Sequence, residues 1–267
     1  MKTSIAINVF ASLAFLATGV FLALGLPLLT DSPWLLCLAW APFVLLSATF
    51  WSLVHEAVHG TLLPVRSRND ALGRALAMVF GSPLAILRFG HLTHHRIYTE
   101  AEKNPPPPRI EPSRWLMTPL YYLRIFGLVY VAEVAAPLIA WLPTRFTLGL
   151  GRQFAGLHES MSDTVLGRLE KQVLSGKTLW RLRLDSLFIL ALYVPAFLLY
   201  GANWWVLLLA LLGRGAIVSF MDNIYHHRDP GTPHRTLNLS MPSWASRSIL
   251  NANLHAVHHR LPGLPWY

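Results

Sequence analysis

The sequence predicts an all-α integral membrane protein, and three features of the chain lead to that prediction. Of its 267 residues, 54% are hydrophobic and only 13% carry a charge, which fits a lipid solvent better than water. Two long runs near the N-terminus contain no charged residue, and the histidines form clusters with helical spacing. We therefore predict four transmembrane helices, arranged as two hairpins, with a cytoplasmic cap that carries the histidine clusters.

The first hairpin is predicted from two uncharged runs, residues 5–29 and 34–54. Each run is long enough to cross about 30 Å of hydrocarbon as a helix that rises about 1.5 Å per residue. A cleaved signal peptide is the alternative for the first run, because Lys2 precedes it, but a signal h-region spans only about 7–15 residues. We interpret the run as a retained transmembrane helix.

Three further apolar stretches follow, and the charges around them decide which are predicted to cross. Arginines and lysines flank residues 116–142 on both sides, so the positive-inside rule leaves both ends of this stretch in the cytoplasm. We predict that it is interfacial or re-entrant. Residues 186–200 and 204–221, joined by an uncharged turn, form the second predicted hairpin. In the rival interpretation, residues 116–142 cross the membrane and the last two stretches form one long helix.

The net charge of +9 does not indicate nucleic-acid binding. The basic residues are spread through the segments between apolar stretches instead of forming one block, and the positive-inside rule explains that distribution. The sequence contains no Gly-rich nucleotide-binding loop and no internal repeat. We therefore predict that residues 1–267 form a single membrane-embedded domain.

Three histidine clusters carry the metal-binding potential of the sequence. "HEAVH" occupies residues 55–59, "HLTHH" begins at His91 and "HAVHH" begins at His255. Positions i, i+3 and i+4 of a helix share a face, so each cluster directs its imidazoles to one side. Imidazole is a good ligand for zinc, iron, copper and nickel. Under the predicted topology all clusters emerge on the same side of the membrane, so one site can collect them.

Taken alone, the first cluster matches the HExxH signature of zinc peptidases, with His55 and His59 as ligands and Glu56 as base. That interpretation requires one ion and leaves two complete clusters without a role. The combined histidines exceed the coordination number of one ion and suit two. A non-enzymatic metal carrier would use the same residues and is the other alternative.

The order HxxxH, HxxHH and HxxHH, with an NxxxH formed by Asn223 and His227, resembles the membrane fatty acid desaturase superfamily. The final "HAVHHRLPGLPWY" is similar to the HxxHHxxPxxPxY ending of that family, and the match runs from residue 55 to residue 259. The resemblance implies a di-iron centre with nine histidine ligands. These would be His55, His59, His91, His94, His95, His227, His255, His258 and His259.

The resemblance also implies a reaction and partners. A family member of this kind uses O2 to desaturate a lipid acyl chain, with electrons from a separate ferredoxin or cytochrome b5. The chain has a single cysteine, Cys37, so it cannot build a cysteine-ligated cluster of its own. Carotenoid ketolases and hydroxylases and alkane hydroxylases have close variants of the same motifs, and these activities are the alternatives.

Three polar residues are expected near the metals without binding them directly. The family usually has Asp after the first histidine, whereas this chain has Glu56, which we expect to orient an imidazole. Asp222 is a second candidate for such a role. The resemblance implies that Asn223 contacts the site through water.

Two further expectations concern the last predicted span. His226 would point about 100° away from His227 on a continuous helix, so we expect it outside the ligand set. Arg214 lies within the span, where an ionised side chain needs a partner. We predict that it pairs with Glu133.

Overall fold

The computed structural model describes residues 2–103, 135–154, 163–226 and 236–267. Within these ranges the chain forms helices and connecting turns, and it forms no strand. The first helix, α1 (Lys2–Val20), continues as a π-helical turn, Phe21–Gly25, and a 3-10 turn, Leu26–Leu28. The described part of the chain is therefore all-α, as the sequence predicts.

The second predicted span consists of two helices instead of one. Residues 34–54 fall in α2 (Pro33–Leu45) and α3 (Ser47–His59), which meet at a bend of 48°. Phe15 of α1 stacks on Phe50 of α3, with the ring centroids 5.0 Å apart. The chain thus folds back along α1, and the buried aromatic rings hold the two segments together.

A sharp bend of 97° separates α4 (Arg66–Phe80) from α5, which runs from Leu84 to Lys103. Gly81 adopts a φ of 92° at the bend, a left-handed conformation that is far less strained for glycine than for other residues. Pro83 precedes α5 and, lacking an amide proton, suits a helix start. The bend directs α5, which carries the second histidine cluster, against α3.

Two short helices, α6 (Thr144–Phe154) and α7 (Asp163–Gln172), form a smaller apolar core together with α5 and the start of the next helix. Most of the predicted interfacial or re-entrant stretch, residues 116–142, lies outside the described residues. Its last part, residues 135–139, is helical. The smaller core packs α6 and α7 against α5, the helix that carries the second histidine cluster.

The helices α8 (Gly176–Tyr200) and α9 (Trp204–Ile224) form a hairpin. Gly201 breaks the helix with φ 51° and ψ −122°. Arg214 Nη1 of α9 lies 3.4 Å from the Tyr193 hydroxyl of α8, and both side chains donate hydrogen bonds to the carbonyl oxygen of Val79. One straight helix would hold Tyr193 and Arg214 about 30 Å apart, so the two helices must fold back on each other.

By length and composition, two helical stretches of the described chain can cross a membrane, Ser4–Leu28 and Gly176–Ile224, and the second of them is folded into the α8–α9 hairpin. The number rises to four if the bent pairs α2 with α3 and α4 with α5 each count as a span. Large apolar side chains such as Phe10, Trp34 and Leu198 are exposed. Because lipid is the solvent that such a surface suits, the chain has the character of a membrane protein.

The C-terminal segment contains α10 (Ser243–Ser248) and α11 (His255–Arg260) and then returns to the N-terminal half. The Trp266 indole nitrogen donates a hydrogen bond of 2.8 Å to Asn8 Oδ1 of α1. Asn8 Nδ2 in turn donates to the carbonyl oxygen of Leu62 at 2.9 Å. These bonds tie the third histidine cluster to the region where α3 ends.

Candidate metal centre

The first two histidines of the centre lie at the end of α3, one turn apart. The ring centroids of His55 and His59 are 4.7 Å from each other. The helix ends at His59, and the next residue, Gly60, has a left-handed φ of 85°. The Nε2 atoms of both histidines are buried and have no hydrogen-bond partner within the described residues. Buried nitrogens normally have partners, so the unpaired atoms fit a role as metal ligands.

Three histidines from two other helices complete what we call the first group. His91 and His95 come from α5 and His258 from α11, and the five ligand nitrogens all lie within 4.8 Å of one another. The Nε2 atom of His95 lies 2.9 Å from that of His91 and 3.0 Å from that of His258. Two imidazole nitrogens bonded at right angles to one ion, at about 2.1 Å each, lie about 3 Å apart. The first group therefore fits one metal ion.

Four more histidines form what we call the second group: His94, His226, His255 and His259. The Nε2 atom of His226 is 2.9 Å from that of His94 and 3.0 Å from that of His255. These nitrogens too lie within 4.8 Å of one another, so the second group fits another ion. The groups are adjacent, since the rings of His95 and His259 stack with centroids 4.2 Å apart.

The structure brings His226 into the second group, although the sequence led us to expect it outside the ligand set. The expectation assumed a helix that continues through residue 226, but α9 ends at Ile224 and the chain enters a turn. The His226 amide donates to the carbonyl oxygen of Asn223, which is a tighter turn than the α-helix makes. His227, which the motif indicated, lies outside the described residues. In the sequence, the adjacent pair His226 and His227 after an apolar run indicated that one of them lies near the other histidines, but it did not show which one.

Burial keeps these imidazoles in the form that binds metals. Burial, with a smaller effect of nearby His95, lowers the pKa of His258 to about 3. The pKa of His259 falls to about 2, again chiefly through burial and then through neighbouring histidines. Both rings are therefore neutral near pH 7, and the neutral ring is the one that offers a lone pair to an ion.

The family model described as fatty acid desaturase matches residues 32–267. The matched region is most of the chain and contains every histidine of both groups. The chain belongs to the fatty acid desaturase family. Membership implies an oxidoreductase with a lipid substrate, and the family is known to bind iron. No curated protein and no solved structure matches the chain.

Iron is compatible with both groups of this desaturase-family chain. Neutral imidazole is a suitable ligand for iron, and the donor set of each group consists of imidazoles alone. The first group has two buried nitrogens that lack any other partner among the residues described. The residues present thus fit the metal that the family implies.

A cavity of about 100 Å³ reaches both histidine groups of the desaturase-family chain. Its wall includes His55 and His258 of the first group and His255 of the second. The rest of the lining is largely apolar and comes from α3, the end of α9 and the C-terminal segment. Its members include Trp51, Met221, Leu250, Leu254, Val257, Leu264 and Trp266. An apolar cavity beside the two histidine groups can admit part of a lipid chain.

The structure brings two of the three expected polar residues to this cavity. Glu56 and Asp222 line it, and Glu56 Oε2 is buried without a hydrogen-bond partner in the described chain. Asp222 Oδ1 accepts a hydrogen bond of 3.2 Å from the indole nitrogen of Trp51. Asn223 does not belong to the lining, and its amide nitrogen donates to Ser219 within α9. A role for Asn223 at the metals stays a prediction.

Proposed function

We propose that the chain is a membrane desaturase that uses O2 and two irons to introduce a double bond into a lipid acyl chain. The observation that carries the proposal is the convergence of nine histidines, from four separate stretches of the chain, into two adjacent groups. A zinc peptidase site would use His55 and His59 but leave the second group without a role. Family membership also supports an oxidoreductase.

The proposed ligands of one iron are the five histidines of the first group, and those of the other are the four of the second. His226 thus takes the ninth position, for which the sequence motif indicated His227. Bound iron would supply the activation of O2 that removal of hydrogen from an unactivated C–H bond requires.

The stoichiometry of the proposed desaturation determines which partners the reaction needs. The substrate loses two hydrogen atoms, O2 is reduced to two water molecules, and two protons and two further electrons enter. The lone Cys37 cannot form a cysteine-ligated cluster. We therefore propose a separate electron donor, of the ferredoxin or cytochrome b5 type.

The protein's own residues have to position the acyl chain. A saturated chain has no polar group at the reacting carbon, so shape must select the position of the new double bond. In our proposal the chain enters the cavity beside His55 and His258, where Trp51, Leu250 and Trp266 contact it. The apolar lining excludes water from the reacting carbons.

We further propose that residues 1–267 form one domain with four spans and that the histidines face the cytoplasm. The support is the abundance of arginine and lysine in the segments that join the apolar stretches. The α8–α9 hairpin and the return of α2 and α3 along α1 are compatible with two hairpins in a membrane. Insertion of a reporter after residue 30 and another at residue 230 tests the topology.

Lipid profiling of a host that expresses the protein tests the proposed reaction. The wild type is expected to produce an unsaturated lipid only in the presence of O2. His94→Ala and His258→Ala, one change in each group, are expected to abolish that product while the protein stays in the membrane. His158, which is isolated in the sequence, provides the matched control, and His158→Ala is expected to retain activity.

The product distinguishes the proposal from its alternatives. A lipid product with a new hydroxyl or keto group, in place of a double bond, would mean that the protein is a hydroxylase or ketolase of the same superfamily. Full activity of both His94→Ala and His258→Ala would contradict the proposal altogether. A peptidase would instead lose activity with Glu56→Gln and retain it when His94 is changed.

A further inference from the structure

Arg88 of α5 joins two histidine-bearing helices through direct hydrogen bonds. Its Nε donates to the carbonyl oxygen of Val58 at 3.0 Å, and its Nη2 donates to that of Ala57 at 2.9 Å. Nη2 also lies 2.6 Å from Asp70 Oδ1 of α4. One guanidinium thus contacts α3 and α4 from α5.

The two carbonyl groups belong to the turn that carries the first histidines. Ala57 and Val58 lie between His55 and His59 in the chain and are almost completely buried. The last carbonyls of a helix lack the usual i+4 partner and carry the negative end of its dipole. The Ala57 carbonyl also accepts from the Gly60 amide at 3.2 Å and from Asn69 Nδ2 of α4 at 3.0 Å, and Arg88 adds a donor to it and to the Val58 carbonyl. A planar cation with several donors in fixed positions is well suited to bind both at once.

The position of Arg88 on its own helix points toward the first group. His91 and His95 follow Arg88 by three and seven residues, so all three share one face of α5. His94 follows by six residues and lies on a different face. The face that Arg88 attaches to α3 is therefore the face that supplies two ligands to the first group.

The two groups differ in their dependence on this contact. Four of the five histidines in the first group come from α3 and α5, the helices that Arg88 connects. The second group takes no ligand from α3. If α3 and α5 moved apart, the histidines of the first group would therefore separate. The distances among the histidines of the second group would change less.

We propose that Arg88 is a positioning residue for one metal site only: it fixes the end of α3 against α5 and so sets the first histidine group. This inference rests on the proposed function only in assuming that each group holds one ion. Asp70 has the supporting role of orienting the guanidinium through Nη2, the nitrogen that also donates to the Ala57 carbonyl.

Metal content of purified full-length protein in detergent tests the proposal. Wild type loaded with Fe2+ under anaerobic conditions is expected to retain two ions per chain after dialysis. Arg88→Met is expected to retain one, because the ion in the first group binds at least about 10-fold more weakly when its supporting contact is lost. Arg88→Lys retains a charge but loses the planar fork, and it is expected to weaken the same ion to a smaller extent.

Arg66 provides a matched control. Its Nε donates to the same Asp70 at 3.2 Å, but within the described residues no hydrogen bond joins Arg66 to an α3 carbonyl. Arg66→Met removes the same charge from the same carboxylate and is expected to retain two ions. Titration with Co2+, whose visible absorption reports its ligands, gives the affinity of each group in every variant.

Three results would overturn the proposal: wild-type affinity of both ions in Arg88→Met, equal weakening of both ions, or fewer than two ions in the wild type. If Arg88→Met does not fold, the same comparison is made with Arg88→Lys. The readout does not depend on catalysis. Selective loss of one ion in a protein that makes no lipid product would support the role of Arg88 and contradict only the proposed reaction.

Discussion

The two histidine groups are similar in composition but are built in different ways. Four of the five histidines in the first group lie on α3 and α5, which pack directly against each other and are joined by Arg88. The second group collects one histidine from α5, one from the turn after α9 and two from α11. The first group is assembled by helix packing, and the second by chain segments that return over long distances.

The difference indicates where each site is vulnerable. The first group depends on contacts within the helical core, which is tightly packed around Phe50 and Leu53. The second depends on the hydrogen bonds that hold the C-terminal segment and on the turn at His226. The predictions below test this distinction, from the largest expected effect to the smallest.

The largest effect is expected for His226→Ala. Its Nε2 lies about midway along the second group, close to those of His94 and His255. Loss of this proposed ligand is expected to lower product formation by more than about 100-fold, the upper end of the effect of residues that merely support a ligand. Metal content is expected to fall to one ion per chain, and the remaining ion occupies the first group.

The neighbouring residue is the informative comparison for that experiment. The family motif indicated His227, so the two variants His226→Ala and His227→Ala compete directly. If His226→Ala keeps two ions and full activity while His227→Ala loses them, the ninth ligand is His227 and not His226. That result would also show that the tight turn after α9 does not determine the ligand.

A smaller effect is expected when the C-terminal segment is detached from α1. Asn8 is completely buried and bonds both Leu62 and Trp266. Asn8→Leu leaves the Leu62 carbonyl and the Trp266 indole without their partner, at a cost of about 1–3 kcal/mol for each. The thermal midpoint in detergent is expected to fall. The second group is expected to weaken more than the first, because it takes two ligands from α11 and the first takes one.

A double-mutant cycle separates this bond from general damage to α1. Trp266→Phe leaves only Asn8 Oδ1 without its partner, so it is expected to be milder than Asn8→Leu. Because both variants remove the same hydrogen bond, the double variant should lose less stability than the two single losses together. Strict additivity, or equal weakening of both ions, would contradict a specific link between α1 and the second group.

The sequence predicted the first group more completely than the second. The spacing of His55 with His59, and of His91 with His95, defines a helix face without knowledge of any other part of the chain. The structure places these four side chains together with His258. The all-helical fold followed equally from the composition and the long apolar runs, whereas the break between α2 and α3 had no local signal that we identified.

The remaining features depend on backbone geometry that a residue pattern does not contain. His226 joins the second group only because α9 ends before it. Arg214 was expected to pair with Glu133, which lies outside the described residues. Its guanidinium donates to the carbonyl oxygens of Val79 and Phe80 at the end of α4. Carbonyl partners occur at every residue, so the sequence offers no way to choose among them.

The smallest effects are expected for two tethers between α3 and the segment that precedes the third cluster. Ser52 Oγ donates to the carbonyl oxygen of Ile249 at 2.8 Å, and Thr49 Oγ1 donates to that of Ser248 at 2.7 Å. Just beyond them, Leu250 and Asn251 have φ values of 52° and 54°, a left-handed conformation that asparagine tolerates but that is strained for leucine. The tethers hold this turn beside α3.

Ser52→Ala is expected to lower stability by about 1 kcal/mol, since Ser52 is buried and the Ile249 carbonyl loses a donor. Thr49→Val keeps the shape of the side chain and is expected to cost less, because water can replace a hydroxyl at this more exposed bond. Thermal midpoints of the two variants give the comparison. A larger loss for Thr49→Val would mean that the tether nearer the surface holds the strained turn, and hence that the second group is supported from outside the helical core.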